Sequence, residues 1–110
     1  MESSQAREVY AEGGDPFSTY CYTIPEMARA LDRSSLTIKR WIKEGVLPPP
    51  VLKDTSRKYS QYAEEEVRLI AECLILHEQE YTYLSPSHEA TVQRIYSVLR
   101  AYREREGWTL

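Results

Sequence analysis

The segment TIPEMARALDRSSLTIKRWIKEG, residues 23–45, contains the signals for two short helices separated by a tight turn. Thr23 is a favoured N-cap residue, Pro25 suits the first helical turn, and Glu26 stands three residues after Thr23, as in a capping box. Apolar residues then recur at helical spacing as far as Leu31. This pattern predicts a first amphipathic helix of about two turns.

A second helix is expected directly after this one. The residues Asp32-Arg33-Ser34-Ser35 interrupt the apolar pattern, and either serine can cap a new helix. Gly45 is favoured just beyond a helix C-terminus, so the second helix should end there. Two short helices joined by a turn of about four residues form a helix-turn-helix.

The sequence after Gly45 predicts a β-hairpin. Pro48-Pro49-Pro50 cannot lie inside a helix and favours a stiff extended connector. Residues 51–53 and 57–62 then form two short strands around a turn with a basic tip. A hairpin that follows a helix-turn-helix is a wing. The predicted fold class is therefore mainly α, a winged helix-turn-helix followed by two longer C-terminal helices.

The chain divides into three predicted regions. Residues 1–21 are interpreted as a flexible arm, residues 22–84 as the winged domain with a third helix from Ala63, and residues 85–110 as a fourth helix capped by Ser85-Pro86-Ser87. The fourth helix carries a heptad-like apolar seam, which predicts oligomerisation, packing against the third helix, or both. The residues of this seam are Val92, Ile95, Leu99 and Tyr102.

The formal net charge of −3 conceals an uneven distribution. Residues 23–62 carry +4, whereas residues 1–22 carry −3, residues 63–85 carry −5 and residues 86–110 carry +1. The predicted winged helix-turn-helix is thus the clearly basic block of an acidic chain. Such an asymmetry is typical of a surface that binds phosphate.

Several other classes of protein are disfavoured. No apolar run approaches the ~20 residues of a membrane helix, and the N-terminus has no apolar core of a secretory signal. Cys21 and Cys73 are far apart in the sequence, so a disulfide framework is not expected and a reducing cytoplasm is favoured. Together with His77 and His88, the two cysteines lack the close spacing of a zinc site. The acidic run 64–66 suits the start of a helix, and no catalytic motif is present. The sequence predicts no enzyme, metal or cofactor.

The ordered series of these signals resembles the DNA-binding domain of the MerR superfamily. The resemblance is carried by residues 23–30, by Ser34, by residues 37–39 and 45–50, and by the wing segment 57–60 with the helix start after it. Asp32-Arg33 stands where the family usually has Gly-Val, and Arg40-Trp41 stands where two tyrosines are expected. With these departures, the sequence is more similar to the smaller excisionase-like and phage packaging-protein branches of the superfamily. The C-terminal half does not resemble the long coiled coil and effector domain of metal or drug sensors.

The winged fold assigns DNA contacts to particular side chains. A helix that enters the major groove N-terminus first places its first exposed residues on base edges, here Leu36, Lys39 and Arg40. The resemblance supports the wing residues Arg57 and Tyr59 as backbone contacts. The full set of expected backbone contacts is Ser35, Thr37, Lys43, Lys53, Arg57, Lys58 and Tyr59.

The sequence therefore predicts a sequence-specific double-stranded DNA-binding protein, a transcriptional regulator that binds paired half-sites as a dimer or higher homo-oligomer. One alternative is an excisionase-like architectural factor or a small packaging (terminase) subunit. Another is an interaction adaptor that has lost DNA binding. The expected protein partners are RNA polymerase, an integrase or a large terminase, in the cytoplasm of a bacterial or phage-infected cell and without a membrane.

Overall fold

The computed structural model describes residues 7–9, 19–54 and 59–108. Within them the order of elements is β1 (Arg7–Val9), β2 (Thr19–Tyr22), α1 (Ile24–Ala30), α2 (Ser35–Lys43), β3 (Leu52–Asp54), β4 (Tyr59–Ala63), α3 (Glu64–His77) and α4 (Glu89–Glu106). The predicted fold class is confirmed: helices dominate, and a β3–β4 hairpin follows a helix-turn-helix.

Local capping fixes the start of α1. The Thr23 backbone N–H donates to Glu26 Oε1 at 2.9 Å, and the Glu26 N–H donates to Thr23 Oγ1 at 3.4 Å. This is the capping box that the sequence predicts. After Leu31 the turn places Asp32 at a φ of 59°, a left-handed conformation that Asp tolerates better than most residues.

Ser34, rather than Ser35, caps α2. Its hydroxyl oxygen accepts from the Thr37 backbone N–H at 3.1 Å. The helix ends before Gly45, whose φ of +83° is strained for any residue with a side chain. On the inner face Ile38 and Trp41 are buried in a core that they share with α1, α3 and α4.

The sheet is larger than the predicted hairpin. Its four strands run in the order β1-β2-β4-β3, and all adjacent pairs are antiparallel. β2 pairs Cys21 with Ala63 on β4, so β4 has neighbours on both edges. Part of the segment interpreted as a flexible arm is therefore strand. Residues 1–6 and 10–18 lie outside the described part of the chain.

The local sequence of β2 suits a strand but does not reveal its partner. The residues TYCY are β-branched, aromatic and apolar, which suits a strand that packs against a core. The residues of β4 with which they pair, however, lie 40 or more residues further along the chain. Because the strand is only four residues long and β4 is distant in the chain, no local pattern predicts this pairing.

α3 and α4 pack against each other as an antiparallel pair. Glu66 near the start of α3 contacts Arg103 near the end of α4, and His77 at the end of α3 contacts Thr91 at the start of α4. The α4 seam lies in this interface: Ile95 and Leu99 are fully buried, Tyr102 is 8% exposed, and Val92 packs against them. Of the four predicted oligomerisation residues, Ile95, Leu99 and Tyr102 are thus buried within the chain and Val92 is half-buried. Their role in oligomerisation stays a prediction.

The segment between α3 and α4, residues 78–88, is called the connector below. The predicted cap at Ser85-Pro86-Ser87 is displaced, because α4 begins at Glu89 with His88 at the N-cap position. The Ser85 backbone N–H instead donates to His88 Nδ1 at 3.1 Å and closes a loop. Within the described residues, no helix is long and apolar enough to cross a membrane.

Candidate nucleic-acid interface

The N-terminal half of α2 presents a free outer face. Leu36, Lys39 and Arg40 follow the i, i+3, i+4 spacing of one helical face, and all three are exposed. Leu36 is 78% exposed although it is apolar. Burial of Ile38 and Trp41 on the opposite side fixes the rotation of the helix. The structure therefore brings together the three predicted base-reading residues on one surface.

The start of α2 is suited to an anion. The first backbone N–H groups of a helix have no partner inside the helix, and the helix dipole is positive at this end. Ser35 and Thr37 are half-buried here, and the Thr37 hydroxyl lies 3.0 Å from that of Ser34. Lys43, a turn beyond Lys39, is exposed on the same helix. These predicted backbone contacts surround the base-reading face.

Arg40 is only loosely paired. Its Nε lies 4.0 Å from Glu44 Oε1, and the two side chains are 57% and 40% exposed. A solvated ion pair of this kind contributes little free energy and is easily exchanged for a phosphate or a base. Arg40 therefore remains available to a ligand on the outer face of α2.

The back of α2 is attached to the connector. Trp41 Nε1–H donates to the Leu84 carbonyl oxygen at 3.2 Å. Arg33 forms an ion pair with Glu78, and its guanidinium carbon lies 6.0 Å from the centre of the Trp41 ring. Residues of both elements, among them Arg40 and Leu84, line a cavity of about 400 Å³. The sequence contains no local signal for these long-range contacts.

The wing is only partly described. Lys53 lies on β3, and Tyr59 is the first residue of β4, where it pairs with Asp54. Their backbone positions therefore lie toward the tip of the hairpin. Arg57 and Lys58, the other two predicted wing contacts, lie outside the described residues.

The base of the wing is held by a buried polar cluster that sequence analysis missed. Glu66 Oε1 accepts from the Ala63 backbone N–H at 2.9 Å, and Glu66 Oε2 pairs with Arg103. Arg103 also donates to the Pro49 carbonyl oxygen at 3.0 Å. Tyr62 donates from its hydroxyl to the Pro48 carbonyl oxygen at 2.5 Å. Both ends of the hairpin are thereby attached to α3 and α4.

The buried hydroxyl of Tyr62 is a permanent donor in this cluster. Burial raises the pKa of Tyr62 far above its usual value, and the nearby Arg103 opposes this only in part. The phenol therefore keeps its proton at any physiological pH. The sequence offers one signal for this role, since Tyr62 is an aromatic residue at the end of the second wing strand.

The two cysteines and His77 are buried and have structural roles. Burial raises the pKa of both thiols, to about 12 for Cys21, so neither is a nucleophile at neutral pH. His77 is buried with both ring nitrogens in hydrogen bonds. Among residues 7–9, 19–54 and 59–108, no three His, Cys, Asp or Glu side chains are grouped so as to hold a metal ion.

Comparison with protein families supports the interpretation of the helix-turn-helix. The family model described as "MerR HTH family regulatory protein" matches residues 22–82, which is more than half of the chain. The matched range contains α1, α2, the wing and α3. Comparisons with curated proteins and with solved structures returned no match.

Proposed function

The chain belongs to the MerR HTH family of regulatory proteins, and from this premise we propose that it is a sequence-specific transcription regulator on double-stranded DNA. Family membership implies a DNA-binding regulator in general. The observation that carries the finer proposal is the exposed outer face of α2, where an apolar Leu36 that is 78% exposed stands beside two exposed cations.

In this proposal α2 enters the major groove with its N-terminus first. Lys39 and Arg40 donate hydrogen bonds to N7 and O6 of guanine, and Leu36 contacts a thymine methyl group. An exposed leucine in water gains nothing from the fold, whereas against a thymine methyl it loses unfavourable hydration. Its position one turn before Arg40 lets both side chains reach neighbouring base pairs.

Backbone contacts set the register of the protein on the duplex. Ser35, Thr37 and Lys43 surround the base-reading face of α2 and are assigned to phosphates there. The wing supplies the remaining contacts to the adjacent backbone, which are Lys53, Arg57, Lys58 and Tyr59. Such contacts supply affinity without sequence information.

We also propose that two copies bind paired half-sites. A single module of this kind buries only ~600–1,000 Å² of protein surface, which gives moderate affinity. Since Ile95 and Leu99 are fully buried within the chain, we expect the second copy to bind mainly through another surface. Light scattering of the full chain, alone and with a selected duplex, measures this directly.

The proposal is tested by selecting duplexes from a random library with the full chain and then comparing variants. In the double variant Lys39→Ala, Arg40→Ala, each lost bidentate contact removes about 1–3 kcal/mol of discrimination. The two losses together should therefore reduce affinity for the selected site at least about 30-fold more than affinity for random duplex. Arg68→Ala is the matched control, because it removes an exposed cation from α3.

Other outcomes redirect or overturn the proposal. An equal loss on both duplexes would make Lys39 and Arg40 phosphate contacts rather than base-reading residues. No binding to any duplex at low salt, where phosphate contacts are strongest, would overturn DNA binding and support an interaction adaptor. In Leu36→Ala, selection should lose its preference at one thymine position while the melting temperature stays unchanged.

A further inference from the structure

We infer that Glu66 and Arg103 are positioning residues for DNA binding, through which the C-terminal helix α4 fixes the angle of the wing. The wing here means residues 52–63. The inference rests on the proposed function, because it assumes that the wing contacts phosphate. It assigns a role in DNA binding to α4, a helix that lies outside the matched family region.

The exit of the wing is attached through Glu66. The backbone N–H of Ala63, the last residue of β4, donates to Glu66 Oε1 at 2.9 Å. Glu66 lies on the first turn of α3 and is fully buried. A buried carboxylate holds a backbone donor strongly, because the bond is charge-assisted and no water competes for it. The direction in which β4 enters α3 is therefore fixed.

The entrance of the wing is attached through Arg103. Its Nη2 donates to the Pro49 carbonyl oxygen at 3.0 Å, three residues before β3 begins at Leu52. The Tyr62 hydroxyl donates to the preceding carbonyl, that of Pro48, at 2.5 Å. Pro50 restricts the backbone between these anchors and β3. Two fixed carbonyls followed by a proline therefore set where the first wing strand begins.

One ion pair joins the two attachments. Glu66 Oε2 pairs with Arg103 Nε, while the other oxygen of Glu66 and another nitrogen of Arg103 hold the two ends of the wing. The Arg103 side chain is only 11% exposed. A guanidinium buried to this extent is not presented to DNA, so any effect of Arg103 on binding must pass through the elements it holds.

Salt dependence separates this role from simple destabilisation. Each phosphate contact contributes about −0.9 to the slope of log K against log salt concentration. A displaced wing loses phosphate contacts and makes the slope shallower. A variant that merely unfolds part of the population lowers the apparent affinity but leaves the slope of the folded protein unchanged.

The experiment uses the full chain and a selected duplex. Arg103→Gln should bind about tenfold more weakly, a loss of about 1.4 kcal/mol, with a shallower salt slope. Arg100→Gln is the matched control, since it removes an exposed arginine from the same helix and leaves the Glu66 pair intact. Its slope should equal that of the wild type.

A double-mutant cycle then identifies the element through which Arg103 acts. Arg103→Gln is combined with the wing variant Arg57→Ala, Lys58→Ala and, separately, with Lys39→Ala on α2. The losses should be non-additive with the wing variant and additive with Lys39→Ala. Additivity with both, or an unchanged salt slope in Arg103→Gln, overturns the inference.

Failure of the proposed function gives a different pattern. If the wing variant binds as tightly as the wild type, the wing does not contact DNA, and the premise fails whatever Arg103→Gln does. If Arg103→Gln does not fold by circular dichroism, Glu66→Gln replaces it in the same cycle. That variant keeps an oxygen acceptor for the Ala63 N–H but loses the charge that holds Arg103, and an additive result there also overturns the inference.

Discussion

The indole N–H of Trp41 on α2 donates to the carbonyl oxygen of Leu84 in the connector, at an Nε1–O distance of 3.2 Å. Trp41 and Leu84 are 3% and 5% exposed, so this bond is shielded from water. It attaches the helix that carries the proposed base-reading face to the segment between α3 and α4. The position of α2 therefore depends on a part of the chain 43 residues away.

Replacing Trp41 should reveal the strength of this attachment. Trp41→Phe keeps an aromatic ring but removes the donor, which leaves the buried Leu84 carbonyl without its partner and should cost about 1–3 kcal/mol. For a chain of this size the melting temperature should fall by at least about 4 °C. Thermal melts followed by circular dichroism measure this, with Leu36→Ala as the exposed control. An unchanged melting temperature would show that the bond contributes nothing.

The turn between α1 and α2 should respond to changes at Asp32. At a φ of 59°, a β-branched side chain is strongly disfavoured, whereas glycine is not. We expect Asp32→Val to lower the free energy of unfolding by about 1–2 kcal/mol. Asp32→Gly should change it by less than about 1 kcal/mol, because relief of strain is offset by a more flexible unfolded chain. Urea unfolding of both variants tests this, and equal losses would contradict it.

His77 should carry a proton on Nε2. Its Nε2 lies 2.7 Å from the Tyr83 carbonyl oxygen, which can only accept, so Nε2 must carry the proton. Nδ1 lies 2.7 Å from the Thr91 hydroxyl, which can either donate or accept. Nitrogen chemical shifts show which ring nitrogens carry a proton. In Thr91→Val the Nδ1 shift should move while Nε2 stays protonated; an unprotonated Nε2 in the wild type would refute the assignment.

Alkaline pH should destabilise the protein through Cys21. Burial, and to a lesser extent the Glu66 carboxylate, raises the pKa of this thiol from 9.0 to about 12. The thiolate forms more readily in the unfolded chain, so the stabilisation is complete below about pH 9 and is lost as the pH rises toward 12.

Chemical unfolding at pH 8 and pH 10.5 measures this contribution. The wild type should lose up to about 1.4 kcal/mol of unfolding free energy for each pH unit above 9 from this one group. Cys21→Ala should lose less over the same interval, even if it is less stable at pH 8. An identical pH dependence in the two proteins would assign the alkaline loss to the buried tyrosines instead.

The helix-turn-helix could be predicted because its signals are local. The capping box at Thr23 and Glu26, the cap at Ser34 and the stop at Gly45 each act within three or four residues, and the structure contains all of them. The spacing of Leu36, Lys39 and Arg40 likewise predicts a shared face, and the structure exposes it. Their role in reading bases stays a prediction.

Contacts between distant residues could not be predicted in the same way. The TYCY strand has suitable residues, but only the fold brings Cys21 opposite Ala63. The start of α4 at Glu89 depends on a loop closed by His88, which competes with the expected serine cap. In each case the local sequence allows more than one structure, and packing against the rest of the chain decides which one forms.

The sequence by itself determined the type and order of the elements in the basic block, because capping, helical spacing and left-handed turns depend on near neighbours in the chain. It also determined that one face of α4 is apolar. Only the tertiary structure decided that α3 covers this face, and that Glu66 and Arg103 meet at the base of the wing. The physical reason is that burial is non-directional: a pattern specifies which side chains leave water, whereas the shape of the whole chain decides which surface receives them.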